Sequence, residues 1–238
     1  YDDVGFIRAM IDDINVNFEV DLDRVYACGM SNGGYMSYEL ACELSDKITA
    51  FGSVTGNFML NNNQNCNNNR EIPIIHLHGT TDDVVNYYPP SFDGALTISE
   101  SINYWSEFNN LTTESFEIIN ENVEKFIYYN SSSSTKFVHY KVIGGVHEWF
   151  GSNWGFNTND ALIDFFLEYQ LSDFINIILL GDLNDDDVIN IQDIIIVINI
   201  ILGQMTPTLE QETIGDINED GFINITDLLL IVNIILSD

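Results

Sequence analysis

The stretch Val-Tyr-Ala-Cys-Gly-Met-Ser-Asn-Gly-Gly, residues 25–34, decides how this chain folds. It opens with an apolar run that predicts a buried strand, and the helix-spaced apolar residues after it predict a helix. Between them, Gly29 to Gly33 fit the pattern G-x-S-x-G, in which glycines permit a very tight reversal from strand to helix. We call this turn the elbow. The pattern predicts a strained, exposed Ser31 at the positive end of the helix. It also directs the backbone N–H of Asn32 at the oxygen of a bound carbonyl. The alternative is a glycine-rich turn with an incidental serine.

Charge is the extreme feature of the composition. The 238 residues include 7 basic and 37 acidic side chains, a net charge of −30, and no Lys or Arg follows Lys141. Such a chain repels nucleic acid and anionic membrane surfaces. The apolar runs are too short to cross a bilayer, which predicts no membrane insertion. The acidic C-terminal stretch is rich in Ile and Leu, so we expect it to fold or to bind a cation.

Around this stretch, predicted strands and helices alternate, which indicates an α/β sheet with parallel strand order. The asparagine-rich stretch Asn61 to Asn69 is predicted to be a surface loop. The predicted helices are residues 2–18, from the elbow to about 45, 99–108 and 158–174, and the predicted strands are residues 25–28, 48–54, 73–77, 114–119, 125–129 and 137–143.

A serine hydroxyl needs a base within hydrogen-bond reach to become a nucleophile. The chain has four histidines. His76 and His139 lie inside predicted strands and are expected to be packed or half-exposed strand residues. His78 adjoins a glycine and is expected to serve a turn. His147 lies in a glycine-flanked loop after a strand, late in the chain, which favours it as the base.

The base in turn needs a carboxylate that fixes its tautomer. Asp82 follows a predicted strand and lies between the serine and the histidine in the chain, giving the order Ser31, Asp82, His147. Asp83 is the alternative acid, and either carboxylate could instead cap a turn.

Three motifs resemble those of the esterase group that includes poly(3-hydroxybutyrate) depolymerases and bacterial feruloyl esterases, which have the α/β-hydrolase fold. In that group the elbow reads G-x-S-N-G-G, the acid follows H-G-T-x-D, and the base lies in G-G-x-H-x-W. This chain has Gly-Met-Ser-Asn-Gly-Gly at 29–34, His-Gly-Thr-Thr-Asp at 78–82 and Gly-Gly-Val-His-Glu-Trp at 144–149.

The resemblance implies a catalytic domain over residues 1–174 in which Ser31 attacks, His147 moves the proton, Asp82 orients His147, and Asn32 gives one oxyanion N–H. The group has further strands and a glycine-rich oxyanion loop before the first helix, and these are missing here. We therefore expect Tyr1 to lie inside a longer protein whose signal peptide precedes it. The second oxyanion donor is not assigned.

Three cysteines do not form a disulfide-dense framework. Cys28, on the strand before the elbow, is expected to be a buried free thiol. Cys42 and Cys66 could pair in an oxidising compartment.

The acidic C-terminal stretch contains a repeat with an offset of 34 residues, from Asp182 to Asp216. Each repeat is a twelve-residue loop followed by an apolar helix, predicted at 194–202 and 228–236. Oxygen ligands at loop positions 1, 3, 5, 9 and 12 with a backbone carbonyl at position 7 fit Ca²⁺, which predicts two calcium ions. The first loop has Asp187 where the second has Gly221, at the turn that wants positive φ. The predicted ligands are Asp182, Asn184, Asp186, Val188, Asn190 and Asp193 in the first loop, and Asp216, Asn218, Asp220, Phe222, Asn224 and Asp227 in the second.

The duplicated loop-helix pattern resembles type I dockerins, the modules that attach secreted glycan-degrading enzymes to cohesin domains. The resemblance implies a small all-α calcium-binding domain over residues 177–238 and a cohesin-like partner. By the same resemblance, the partner contacts lie at loop positions 10 and 11, here Ile191 with Gln192 and Ile225 with Thr226. No cofactor is expected for catalysis.

Together these features predict a secreted serine ester hydrolase acting on feruloyl or acetyl esters of plant-type polysaccharide. One alternative is a depolymerase of polyhydroxyalkanoate or a similar polyester. Another, of a different class, is a non-catalytic adaptor in which only the dockerin-like half functions.

Overall fold

In the computed structural model the chain divides into two compact units, Tyr1–Ile175 and Asn176–Asp238, and each has its own hydrophobic core. The structure describes residues 2–59, 66, 70–91, 95–174, 179–186, 188–218 and 220–237. The predicted loop at 61–69 lies outside the described residues except for Cys66, and so do Tyr1 and Asp187.

The described part of the first unit contains one six-stranded sheet in the order β1-β2-β3-β6-β5-β4. Strands β1, β2, β3 and β6 are parallel, so their carboxyl ends meet at one edge of the sheet. Strands β2 and β3 are buried along their whole length, as expected for central parallel strands that are covered on both faces. The strands are β1 (Tyr26–Met30), β2 (Ala50–Val54), β3 (Ile74–Gly79), β4 (Thr113–Asn120), β5 (Val123–Tyr129) and β6 (Lys136–Val142).

Helices cover both faces of this sheet. Successive strand residues point to opposite faces. On one face Phe51, Ile74 and Phe137 pack with α2 and α3, and on the other Ile75 and Val138 pack with α4. Burial of each such large apolar side chain contributes roughly 1.5–3 kcal/mol. The helices of this unit are α1 (Asp3–Asn17), α2 (Asn32–Glu43), α3 (Ile98–Phe108) and α4 (Thr158–Phe166), with 3-10 turns at Leu22–Arg24, Ser152–Trp154 and Leu171–Asp173.

The α/β architecture is as predicted, but the expectation of purely parallel order was wrong. Strands β4 and β5 are antiparallel to each other, and β5 is antiparallel to β6. Only Glu121 and Asn122 separate β4 from β5. A parallel crossover needs a dozen or more residues, so this connection can only form a hairpin.

The final helix of the first unit is shorter than the predicted 158–174. It ends at Phe166, after which the N–H groups of Glu168 and Tyr169 bond to carbonyls three residues back. This tighter turn accompanies burial of the Tyr169 side chain, which is 1% exposed. The Tyr26 hydroxyl donates to the Tyr169 carbonyl at 2.7 Å, so the chain leaves the helix to meet β1.

A disulfide joins Cys42 on α2 to Cys66, the pairing that the sequence left open. Cys28 is a free cysteine, as predicted, but it is exposed rather than buried. The thiol lies on β1, which has a sheet neighbour on one side only among the described strands. An edge strand leaves more of its side chains in contact with solvent than a central strand does.

The second unit consists of two loop-helix repeats with a further helix between them. Its helices are α5 (Ile191–Ile201), α6 (Leu209–Gly215) and α7 (Ile225–Ser237). Helix α5 begins three residues before the predicted start because Asn190 and Asp193 form a capping box. Helix α6 was not predicted, although Thr208 and Gln211 form the same signal. Buried Leu183, Val197, Ile214 and Ile231 form the core.

None of the helices in the described ranges combines the length and the apolar character needed to cross a bilayer.

Candidate active site

Ser31 occupies a strained turn between β1 and α2. Its backbone has φ 56° and ψ −118°, a conformation that non-glycine residues rarely adopt and that costs on the order of 1–3 kcal/mol. A Cβ at Gly29 would lie 2.5 Å from the carbonyl carbon of Gly33, so Gly29 must be glycine. A Cβ at Gly33 would have no heavy atom within 4 Å. The close contact at Gly29 therefore comes from the backbone of Gly33 and would not change with a side chain at position 33.

The elbow is held by its backbone, which leaves the serine hydroxyl uncommitted. The Ser31 N–H donates to the Val54 carbonyl on β2 at 2.9 Å, and the Ser31 carbonyl accepts from the Tyr35 N–H at 3.0 Å. Although Ser31 is the N-cap of α2, its side chain makes no capping hydrogen bond. Asn32 is the first residue of α2, so its N–H belongs to the positive helix terminus.

Asp82 and His147 are hydrogen-bonded to each other, as the proposed acid and base must be. The His147 Nδ1 atom lies 2.9 Å from Asp82 Oδ2. Asp82 is buried, whereas the His147 side chain is 17% exposed, so one imidazole edge can face a substrate. The alternative acid, Asp83, is exposed.

Four donors surround the Asp82 carboxylate. Its Oδ1 atom accepts the N–H groups of Val84 and Val85 at 2.9 and 2.8 Å, and Oδ2 lies 3.3 Å from His78 Nε2 in addition to His147. Burial acts to raise the pKa of Asp82, but the hydrogen bonds from His78, His147 and the two backbone groups lower it to about 2. The carboxylate is therefore ionised at neutral pH.

The loops that carry the acid and the base are tied together. The Thr80 and Thr81 N–H groups donate to the carbonyls of Val142 and Gly145, each at 2.9 Å. The Gly144 N–H donates to Thr80 Oγ1 at 2.9 Å, and Gly144 has φ +77°, which favours glycine. These bonds fix the spacing between the ends of β3 and β6.

Ser31, Asp82 and His147 follow β1, β3 and β6, whose carboxyl ends share one sheet edge. Burial and then the charge of Asp82 raise the pKa of Tyr35, one turn after Ser31. Within the described part of the chain, the Ser31 hydroxyl makes no hydrogen bond with His147. Such bonds are often long before substrate binds.

The other three histidines are buried, so of the two possibilities left open for His76 and His139 the structure has the packed one. Burial, reinforced by the neighbouring histidines, lowers the pKa of His76 well below its usual range. Burial likewise lowers the pKa of His139 to about 3, although its bond to the His76 carbonyl acts in the opposite direction. His78 was predicted only to serve a turn, so its contact with Asp82 was missed. His78 lies on β3 and Asp82 in the turn after it, so no spacing rule in the sequence brings the two side chains together.

The C-terminal loops have the donor chemistry that a calcium ion requires. Asp193 and Asp227 are fully buried, yet no Lys or Arg follows Lys141 to balance their charge. The position-7 carbonyls of Val188 and Phe222 accept from the amides of Asn190 and Asn224 within their own loops, at 3.1 and 3.2 Å. Among the described residues no three His, Cys, Asp or Glu side chains form a metal cluster by themselves. An ion would thus also need these amide and carbonyl oxygens.

The remaining predicted ligands lie in the same two loops. Asp182 is buried, and Asn184 and Asn218 donate to Asp186 and Asp220 at 2.8 and 3.0 Å. The Asp216 carboxylate accepts from Gly221, whose φ of +87° fits the sharp turn that the loop needs.

The predicted partner contacts are all exposed. Ile191 and Gln192 open α5, and Ile225 and Thr226 open α7, with the two isoleucines 64% and 59% exposed.

An open pocket of about 290 Å³ lies on the α3 side of the sheet and is lined by aromatic side chains that include Tyr87, Tyr88, Phe126 and Tyr128. Within the described residues its lining contains neither Ser31, Asp82 nor His147, so the reaction is not assigned to it.

Comparison with known proteins gives two family matches. Residues 5–131 match the family Phospholipase/Carboxylesterase, and residues 180–236 match the dockerin type I domain. Both agree with the resemblances that the motifs indicated.

Individual relatives cover only parts of the chain. The chain is 34% identical over 85 residues to a bifunctional acetylxylan esterase/xylanase from Neocallimastix patriciarum. The alignment covers 36% of this chain and 12% of that protein. The chain is also 33% identical over 125 residues to feruloyl esterase B from Piromyces equi. This alignment covers 48% of this chain and 23% of the relative. The chain thus spans less than a quarter of the length of these two proteins.

Among solved structures, an acetyl xylan esterase from Aspergillus awamori aligns with a TM-score of 0.49 and 14% identity, covering 69% of this chain and 67% of its own.

Proposed function

The chain belongs to the phospholipase/carboxylesterase family, and from that membership we propose that it is a secreted serine ester hydrolase that cleaves feruloyl or acetyl esters of plant-type polysaccharide. The observation that carries the proposal is the buried, ionised Asp82 bonded to His147 at the same sheet edge as the strained Ser31. Two relatives, an acetylxylan esterase and a feruloyl esterase, support the choice of substrate class.

The proposed reaction begins with attack of Ser31 Oγ on the ester carbonyl carbon while His147 Nε2 takes the hydroxyl proton. Asp82 holds His147 Nδ1 and stabilises the imidazolium that forms. The Asn32 N–H, at the positive end of α2, stabilises the negative oxygen of the tetrahedral intermediate. His147 then protonates the leaving sugar oxygen. A water molecule releases the acid from Ser31 by the same steps.

The decisive experiment compares Ser31→Ala with the unchanged chain on p-nitrophenyl acetate, using Ser132→Ala, an exposed loop serine, as the control. We expect Ser31→Ala to be inactive and Ser132→Ala to retain full activity. All three proteins are expressed as the full reading frame, because the expected oxyanion loop precedes Tyr1. If the full-length protein lacks activity, or if Ser31→Ala retains it, the esterase proposal is wrong and the adaptor alternative takes its place.

The substrate class is tested by measuring ferulate and acetate release from arabinoxylan beside clearing of polyester films. We expect release from the polysaccharide and no clearing. The opposite result would make the chain a polyester depolymerase.

The second unit is proposed to bind two Ca²⁺ ions and a cohesin-like partner. The buried carboxylates Asp193 and Asp227 support the ions, and the exposed Ile191 and Ile225 support the partner surface. When bound, calcium would neutralise the loop carboxylates and so allow α5 and α7 to pack.

Binding to a type I cohesin should be lost in EDTA and in the double variant Ile191→Asp, Ile225→Asp. Leu209→Asp, at an 84% exposed position of α6, is the matched control. If the unchanged chain, the double variant and Leu209→Asp bound the cohesin equally well, the assigned surface would be wrong.

Secretion is proposed from the docking unit and from the disulfide between Cys42 and Cys66, since disulfides persist in oxidising compartments. Expression of the full reading frame followed by assay of the culture medium tests it. Retention of all activity inside the cells would count against it.

A further inference from the structure

A line of buried hydrogen bonds leads from Tyr38 through His76 and His78 to the Asp82 carboxylate. On α2, the Tyr38 hydroxyl lies 2.6 Å from His76 Nδ1, and on β3, His76 Nε2 lies 3.0 Å from His78 Nδ1. His78 Nε2 then lies 2.8 Å from the Val85 carbonyl oxygen and 3.3 Å from Asp82 Oδ2. His76 and His78 are fully buried, and Tyr38 is 1% exposed.

The chemistry of the end groups gives this line a direction. The Val85 carbonyl can only accept, so His78 Nε2 must carry a proton. The proposed line has one proton on each ring, so His78 Nδ1 accepts and His76 Nε2 donates to it. His76 Nδ1 accepts in turn, so the Tyr38 hydroxyl donates to it. Burial keeps His76 uncharged by lowering its pKa, so each link has one proton and the donors all point toward Asp82.

We propose that His78 is a positioning residue for Asp82, and that Tyr38 and His76 hold His78 in the tautomer that donates toward the carboxylate. The inference rests on the proposed function, in which Asp82 orients the base His147. Two backbone N–H groups already occupy Asp82 Oδ1, so Oδ2 alone serves His147. The His78 Nε2–H group is shared between the Val85 carbonyl at 2.8 Å and Oδ2 at 3.3 Å, so it adds a positive dipole on the side of Oδ2 away from His147 and favours one orientation of the buried carboxylate.

A second branch of the same cluster supplies a matched control. His139 Nδ1 lies 3.1 Å from the His76 carbonyl, and the Tyr87 hydroxyl lies 2.8 Å from His139 Nε2. This branch ends on the backbone of β3 and not on Asp82. Tyr87→Phe therefore removes a hydrogen bond from the same buried cluster without breaking the line to the carboxylate.

The kinetic test compares His78→Phe, which has no donor, with His78→Gln, whose side-chain amide can still donate to Asp82. We expect His78→Phe to lower kcat about 10- to 100-fold, the usual cost of losing an outer hydrogen-bond partner, with KM unchanged. His78→Gln should recover kcat to within about threefold, and Tyr87→Phe should retain the original kcat. Because a merely structural role would not be rescued by an amide donor, equal kcat values for Phe and Gln variants of the same thermal stability would overturn the proposal.

A second measurement uses the unchanged full chain and does not depend on whether a variant folds. Long-range ¹H–¹⁵N NMR spectra report which ring nitrogen of each histidine is protonated. We expect His76 and His78 to carry their protons on Nε2 alone and His139 to carry its proton on Nδ1. A His78 ring protonated only on Nδ1 would overturn the assignment.

Failure of this proposal is distinguishable from failure of the proposed function. If Ser31→Ala and Asp82→Asn are inactive while a folded His78→Phe variant has the original kcat, the esterase assignment stands and the role of His78 is refuted. If Ser31→Ala retains activity, the esterase assignment itself fails, whatever the tautomers.

Discussion

The two units of this chain bury carboxylates with different partners. In the first unit Asp82 accepts hydrogen bonds from two histidines as well as two backbone N–H groups. In the second unit the described hydrogen bonds to the fully buried Asp193 and Asp227 all come from backbone N–H groups, such as those of Leu183 and Asn224. Histidine side chains thus stabilise the Asp82 carboxylate. No side chain among the described residues donates to Asp193 or Asp227.

The two units also differ in the size of their hydrophobic cores. The first unit packs two large clusters of apolar and aromatic side chains on the faces of its sheet, whereas the described residues of the second unit include four buried apolar ones in its core. A small core supplies little free energy, and small domains commonly depend on metals for that reason. We therefore expect the stability of the first unit to come from packing and that of the second to depend on bound calcium.

The largest effect is expected for Asp82→Asn in the first unit. The amide cannot stabilise an imidazolium at His147, and kcat for p-nitrophenyl acetate should fall roughly 10⁴-fold. Calcium binding by the second unit should not change. Asp83→Asn, the exposed neighbour, serves as the control, and a loss of less than tenfold for Asp82→Asn would remove Asp82 from the proposed mechanism.

Calcium removal should affect only the second unit. At free Ca²⁺ a thousand times the Kd, binding stabilises a unit by about 4 kcal/mol, so EDTA should abolish the helical circular dichroism of α5 and α7. Esterase activity should persist in EDTA because the first unit has no need of the ion. Identical thermal unfolding curves with calcium and with EDTA would mean that the second unit folds without metal.

Loss of the disulfide should affect only the first unit. Cys42 and Cys66 are 24 residues apart, and a loop of that length corresponds to about 3 kcal/mol of stabilisation. The double variant Cys42→Ser, Cys66→Ser should lower the Tm of the first unit while the calcium-dependent transition stays in place. Cys28→Ser, which removes only the free cysteine, should leave both transitions unchanged.

The smallest effect is expected on acidification. The pKa of Asp82 is lowered from 3.8 to about 2, so its contribution to the free energy of unfolding is complete above about pH 4 and is lost as the pH falls through 2. That contribution is about 2 kcal/mol at most. In the second unit protons compete with calcium for the loop carboxylates, so this unit should unfold first as the pH falls. Circular dichroism and activity during one acid titration check this order, and simultaneous loss of both signals would contradict it.

Local sequence chemistry predicted much of this molecule. The elbow at Ser31 and the two acidic loops depend on residues within one turn or loop, and the spacing of neighbours is enough to specify them. The capping boxes of α5 and α6 are equally local, but they were not used. The hairpin of β4 and β5 was missed although its signal is also local, since the connection between the two strands is too short for a parallel crossover. The early end of α4 depends on Tyr169 meeting Tyr26, 143 residues away, which no local pattern encodes.

The sequence by itself determined the serine at a glycine-flanked turn, the candidate acid and base, and the repeated loops, because each is set by backbone geometry and ligand chemistry over a few residues. Only the tertiary structure decided that Asp82, rather than Asp83, contacts His147 across 65 positions of the chain. It also decided that three histidines lie on one buried face beside Tyr38. The pairing of β3 with β6 causes both results, since it places side by side groups that the chain keeps far apart.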